Sequence, residues 1–224
     1  MKDKLSLIIV SGPNASGKTT FVENNFDNLV NNNFEIILPD KILKYATSLT
    51  DRPVVIGEYI DNAITAQKNI LIETPFQNQA FITRIEEIKK MGYETYLYQI
   101  FLNDPDESVA RVNDRKKKGS LFISNKEALD NYLANFKSIS NIFYKFNHAY
   151  FIDNTKDKNF ALTAYFQAGV LAMFKSTDNN YLKELFEVSS HKGYISDVEM
   201  KCIIHNTDYK NENLSVKRNS RLKF

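Results

Sequence analysis

LSLIIVSGPNASGKTTF, residues 5–21, is the stretch on which the reading of the whole chain turns. Its opening LSLIIV (5–10) is β-branched and nearly all apolar, as a strand buried on both faces should be. Directly after it, GPNASGKT (12–19) matches G-x-x-x-x-G-K-[ST], with Thr20 following. A chance match in a chain of this size is on the order of one in a hundred. Context sharpens it, because the match leaves a predicted strand and opens a predicted helix over 17–29. Gly12 and Gly17 permit backbone angles that side chains forbid. The N–H groups of Gly12, Pro13's successors Asn14, Ala15 and Ser16, and Gly17 to Thr20 can then point at phosphate oxygens, aided by the helix N-terminus. Lys18 supplies positive charge at the β- and γ-phosphates, and Thr19 offers a hydroxyl to Mg²⁺. The competing reading is a glycine-containing turn that binds nothing.

Outward from this stretch, apolar runs alternate with helical patterns. FEIILP (34–39), NILIET (69–74), TYLYQIFL (95–102) and AYFID (149–153) read as further buried strands. Helices are predicted over 55–67, 78–91, 105–118 and 126–146. Gly92 suits the stop of the second, and Asp104-Pro105 the start of the third. The alternation predicts an α/β fold of the P-loop NTPase type, with a mainly parallel five-stranded sheet covered by helices on both faces. ALTAYFQAGVLAMF (161–174) reads as an accessory β-hairpin turning at Gln167-Ala168-Gly169, with a helix as the alternative. From about 190 the chain turns polar and irregular, and KNENLSVKRNSRLKF (210–224) reads as a basic tail. The expected organisation is a domain over 1–189 and a C-terminal extension over 190–224 that is no domain of its own.

The composition excludes several classes. At 224 residues, with 43% hydrophobic and 12% aromatic side chains, the chain can build a packed core. A net charge of +2 gives no general reason to expect a nucleic-acid partner. The single Cys202 excludes a disulfide framework and a cysteine-built zinc site, and suits a reducing cytoplasm. His148, His191 and His205 share no metal-ligand spacing. No apolar run reaches the roughly 18 residues of a spanning helix, and the N-terminus lacks a signal-peptide pattern.

Four further places bear on chemistry. Asp40, in ILPDK, ends the second strand, where ligands of open parallel sheets bind. It reads either as the carboxylate that accepts the proton of an attacking hydroxyl or as a helix cap. Glu73, in ILIETP, ends the third strand and can orient substrate hydroxyls or hold a magnesium-bound water, unless it is merely solvated. Asp61 lies on the preceding helix, lining an acceptor pocket or a solvated face. Arg111 and Arg115, in ARVNDRKKKGS, are spaced i, i+4 and share a helix face. Two guanidinium groups there can clamp the charge of a transferring phosphoryl group, or simply decorate a basic helix end.

In the order IIVSGPNASGKTTF, LPDKI, ILIETPF, GYETYLYQIFLNDPDESVARVNDR and HAYFIDNT, these segments resemble the zeta-toxin-like P-loop kinases, over roughly residues 5–155. The resemblance implies an ATP- and Mg²⁺-dependent phosphotransferase acting on a nucleotide-sugar hydroxyl such as that of UDP-N-acetylglucosamine. It implies Lys18 and Thr19 as phosphate and metal residues and Asp40 as base. Asp61, Glu73 and Thr74 would face the acceptor, and Arg111 and Arg115 would be the lid arginines. It also implies a protein antitoxin as a partner. Two departures bear on the acceptor: Thr74 is followed by Pro75, which has no hydroxyl, and Lys118-Gly119-Ser120 replaces a glycine-glycine-histidine stretch. Other acceptors, namely another small hydroxyl compound or a nucleic-acid end, and a nucleotide-binding regulator without transfer, are the alternatives.

Overall fold

β1 (Ser6–Ser11) lies inside an eight-stranded sheet. The computed structural model describes residues 4–26, 33–42, 52–76, 79–119, 123–155 and 159–214. The other strands are β2 (Phe34–Ile37), β3 (Asn69–Thr74), β4 (Glu94–Phe101), β5 (His148–Asp153), β6 (Ala161–Gln167), β7 (Val170–Phe174) and β8 (Tyr209–Lys210). The helices are α1 (Lys18–Phe26), α2 (Pro39–Ile42), α3 (Arg52–Thr65), α4 (Gln79–Lys90), α5 (Pro105–Lys117), α6 (Asn125–Ile139), α7 (Asn180–His191) and α8 (Asp197–Ile204). Across the sheet the order is β2-β3-β1-β4-β5-β6-β7-β8. The first five strands run parallel and the last three antiparallel. The fold is therefore α/β with a five-stranded parallel half, as the alternation predicted, and 161–174 is the hairpin.

Alternate residues of β1 feed two cores. Leu7 and Ile9 face one side, with Ile60, Ile82, Ile85, Leu182 and Phe186 from the helices. Ile8 and Val10 face the other, with Phe21, Val22 and Phe26 of α1. That two-sided burial is why LSLIIV shows no polar alternation. On the α1 side, Tyr98, Tyr150 and Tyr165 stack across β4, β5 and β6 at centroid spacings of 4.7 and 4.6 Å.

Two expectations are corrected. The helix predicted to reach 146 ends at Ile139, and only a short 3₁₀ turn follows over Phe143–Lys145. Ser140 Oγ and Asn141 Nδ2 both donate to the Lys137 carbonyl, at 3.0 and 2.6 Å, and so compete with a further helical turn. Over 190–214 the chain is not irregular throughout: α8 starts at a capping box of Ser196 and Glu199 and buries Met200 and Ile203, and β8 pairs with β7. α7, missed in the sequence, buries Tyr181, Leu182, Leu185 and Phe186 at helical spacing. The tail reading for 215–224 lies outside the described residues.

At the amino ends of the parallel strands, opposite the loop, buried His148 sits 3.0 Å from Glu94 Oε1 and 2.7 Å from the Tyr165 hydroxyl. Burial alone would raise the Glu94 carboxyl, but the hydrogen bond and charge of His148 outweigh it and hold it below the usual range. A depressed folded-state pKa gives stability that is present above the unfolded value and lost as pH falls through the folded one. Wild type is therefore expected to be more stable than Glu94→Gln near neutrality, with the gap closing as pH drops below about 4. Thermal denaturation across that range checks it, and a gap independent of pH would contradict the pairing.

Candidate active site

The phosphate loop spans the gap between β1 and α1. Its two glycines are dictated by crowding. A Cβ on Gly12 would lie 2.3 Å from the Ile100 carbonyl oxygen. Gly17 has φ +95°, and a Cβ there would meet Asn154 Nδ2 at 2.6 Å. Side chains from other elements hold the loop's carbonyls from outside. Ser108 Oγ on α5 donates to the Asn14 carbonyl at 2.8 Å, and Asn154 Nδ2, just past β5, donates to the Ser16 carbonyl at 2.8 Å. With the Asn14 and Ser16 carbonyls held in this way, N–H groups of the loop can face an anion. Lys18 is buried, and its Nζ donates to the carbonyls of Gly12 and Pro13 at 3.0 and 2.9 Å.

Across from the loop, the end of β3 supplies Glu73. Thr19 Oγ1 lies 3.1 and 3.0 Å from its two carboxylate oxygens. A cavity of about 160 Å³ is lined by Asn14, Lys18, Thr19, Glu73 and Arg115, among others. A neighbouring cavity of about 360 Å³ brings Gly17, Thr20, Arg111 and Arg115 beside Asn154 and Phe160. Arg115 borders both. A wider cleft of about 540 Å³ lies beyond, lined by Asp104, Asp106, Glu107, Asp153 and Asp178. Its carboxylates would repel phosphate, so size does not select it as the anion site.

The predicted residues thus separate. Lys18, Thr19, Glu73 and Arg115 converge on one cavity. Arg111 stands one helical turn away and is braced: its guanidinium donates to Glu107 Oε1 at 2.8 Å and to the Asn154 carbonyl at 2.6 Å. Among the described residues, the Arg115 guanidinium makes no hydrogen bond or ion pair. Asp40 lies in α2, just past the carboxyl end of β2 and at the same sheet edge as the loop; its side chain is outside the described part. Thr74 Oγ1 accepts from the Phe76 N–H at 3.0 Å and so shapes the turn leaving β3. Asp61 does not line the cavity that holds Lys18. It is exposed on α3 and paired with Arg84 of α4. Ser108 and Asn154 carry no local signal of their roles, because each acts on a loop distant in sequence.

The donor set at Thr19 and Glu73, a hydroxyl and a carboxylate within 3.1 Å, is all oxygen and fits Mg²⁺, which prefers such ligands and keeps several waters. Among the described residues no group of three or more His, Cys, Asp or Glu could hold a metal without outside ligands. Among the same residues no helix is long and apolar enough to cross a membrane.

No family model and no curated protein matches this sequence. Solved structures do share the fold. One, from the PezAT chromosomal toxin–antitoxin system of Streptococcus pneumoniae, has a TM-score of 0.52 and 16% identity, covering 92% of this chain and 85% of that one. AvrRxo1-ORF1:AvrRxo1-ORF2 with ATP gives 0.57 and 12%, covering 91% and 77%. The Pnkp1/Rnl/Hen1 RNA repair complex gives 0.51 and 14%, covering 63% of this chain and 47% of that chain. At these identities the likeness is one of fold, and at that level the resemblance to zeta-toxin-like P-loop kinases is borne out.

Proposed function

We propose that the chain is an ATP-dependent phosphotransferase whose preferred acceptor is a hydroxyl of a nucleotide sugar such as UDP-N-acetylglucosamine. The observation that carries this reading is the single cavity gathering Lys18, Thr19, Glu73 and Arg115 beside the phosphate loop. Loop N–H groups and the Lys18 ammonium bind the phosphates. Thr19 and Glu73 would hold Mg²⁺, which supplies charge neutralisation at the phosphates when bound. Arg115 places a planar fork of donors where negative charge builds during transfer. Asp40, at the same sheet edge, accepts the proton of the attacking hydroxyl. Residues 190–224 are read as an extension of the same unit. A protein antitoxin belongs to this reading, supported by the fold likeness to the PezAT structure.

The test is mass spectrometry of candidate acceptors after incubation with ATP and Mg²⁺. A phosphorylated nucleotide sugar supports the proposal. Phosphate on another small hydroxyl compound or on an oligonucleotide end would move the acceptor, and nucleotide binding with no product would make the chain a regulator. Asp40→Asn is expected to keep nucleotide binding while slowing transfer by ~10²-fold or more. Unchanged turnover in that variant would reduce Asp40 to a helix cap.

A further inference from the structure

Behind the phosphate loop lies a buried polar chain that no step above uses. Asn135 of α6 is fully buried. Its Nδ2 donates to Ser11 Oγ at 3.1 Å and to the Pro75 carbonyl at 2.7 Å. Its Oδ1 accepts from Gln99 Nε2 at 2.7 Å, and the same Gln99 nitrogen donates to the Tyr181 hydroxyl at 3.0 Å. Ser11 immediately precedes Gly12, and Pro75 follows Glu73 by two residues. Ser11 is in register with Thr74 on one side and Gln99 on the other. One amide therefore ties together the carboxyl ends of β1, β3 and β4 at the point where the sheet hands over to the site.

The surrounding face of α6, with Tyr132 and Ile139, packs into the apolar core. Apolar packing there would suffice to hold the helix down, but it tolerates sliding. Directional hydrogen bonds to two strand ends set their spacing. We infer that Asn135 is a positioning residue that keeps the strand end bearing Glu73 in register with the phosphate loop, so that Glu73 stays 3.0–3.1 Å from Thr19. Its kinetic consequence rests on the phosphotransferase reading; its structural consequence does not.

The test uses Asn135→Leu, of similar branched shape but bulkier and without polar atoms, and Ser11→Ala, which removes only the loop end of the link. Binding of a fluorescent ATP analogue with Mg²⁺ should stay within about threefold of wild type in Asn135→Leu, while kcat falls roughly tenfold or more. Hydrogen exchange at the Phe76 amide should accelerate. Ser11→Ala should show the same split with a smaller factor, and adding it to Asn135→Leu should change little, because both cut one link. If Asn135→Leu fails to fold, the split in Ser11→Ala decides. Losses of nucleotide affinity and kcat that move together with thermal stability would make Asn135 merely structural and overturn the inference, as would unchanged kcat and exchange in both variants. If wild type binds nucleotide but transfers to no acceptor, the phosphotransferase reading fails. Exchange at Phe76 then decides alone: acceleration supports the positioning role, and no change overturns it.

Discussion

Lys18→Ala is expected to lower phosphoryl transfer by about 10³-fold or more. The cavity wall that Lys18 shares with Thr19 and Glu73 also carries a carboxylate. Without the ammonium, that wall turns net negative where the proposed reading puts phosphate, and Arg115 across the cavity is left as the main positive charge. The carbonyls of Gly12 and Pro13 also lose a charged donor, at a stability cost on the order of 1–3 kcal/mol each. Turnover measured by product mass, with a melting curve to show that the variant folds, checks the prediction. Wild-type turnover in a folded Lys18→Ala protein would sink the phosphate-loop assignment.

The second large effect lies on α5. Arg115→Ala should reduce turnover by ~10³-fold while changing nucleotide affinity little, since a positioned guanidinium acts most strongly on transition-state charge. Lysine keeps the charge but loses the planar fork, so Arg115→Lys should also be slow. Arg111 is expected to behave differently. Its bonds to Glu107 and to the Asn154 carbonyl brace the wall of the second cavity, so its removal should weaken nucleotide binding as well as transfer. A Lys117→Ala control separates a specific clamp from general positive charge, because Lys117 is exposed and paired with Asp114. If Arg115→Lys and Lys117→Ala both turn over like wild type, the helix is only a solvated basic end.

Much of the fold is legible in the sequence. The strands around the loop read correctly because burial on both faces leaves an unbroken apolar run in each. α5 read correctly because its start is local chemistry: Asp104 accepts from the Glu107 N–H at 2.8 Å, with proline at the first position. The hairpin read correctly because Gly169, at φ +82°, sits at the turn. α7 starts after a run, Ser176 to Asn180, in which every residue is a plausible cap, so no single start stands out; the actual cap, Asn179, makes no side-chain capping bond. Asn135 did leave a trace: it is a polar residue in helical spacing with Tyr132 and Ile139, the one break in that apolar face. The spacing shows the break but not its partners.

By itself, then, the sequence determined the glycine-containing loop between β1 and α1, the strand–helix alternation and the pairing of two arginines on one helix face, because each depends on residues within a few positions of one another. The tertiary structure alone decided which distant groups meet. Thr19 and Glu73 are 54 residues apart and touch because β3 is inserted beside β1 in the sheet order. Arg111 and Arg115 look equivalent along the helix, yet Asn154 at the end of β5 engages only the first. Asp61 and Arg84 are 23 residues apart and pair because α3 and α4 bring them together. Such choices follow from strand order and helix packing, which hydrogen-bond periodicity along the chain does not encode.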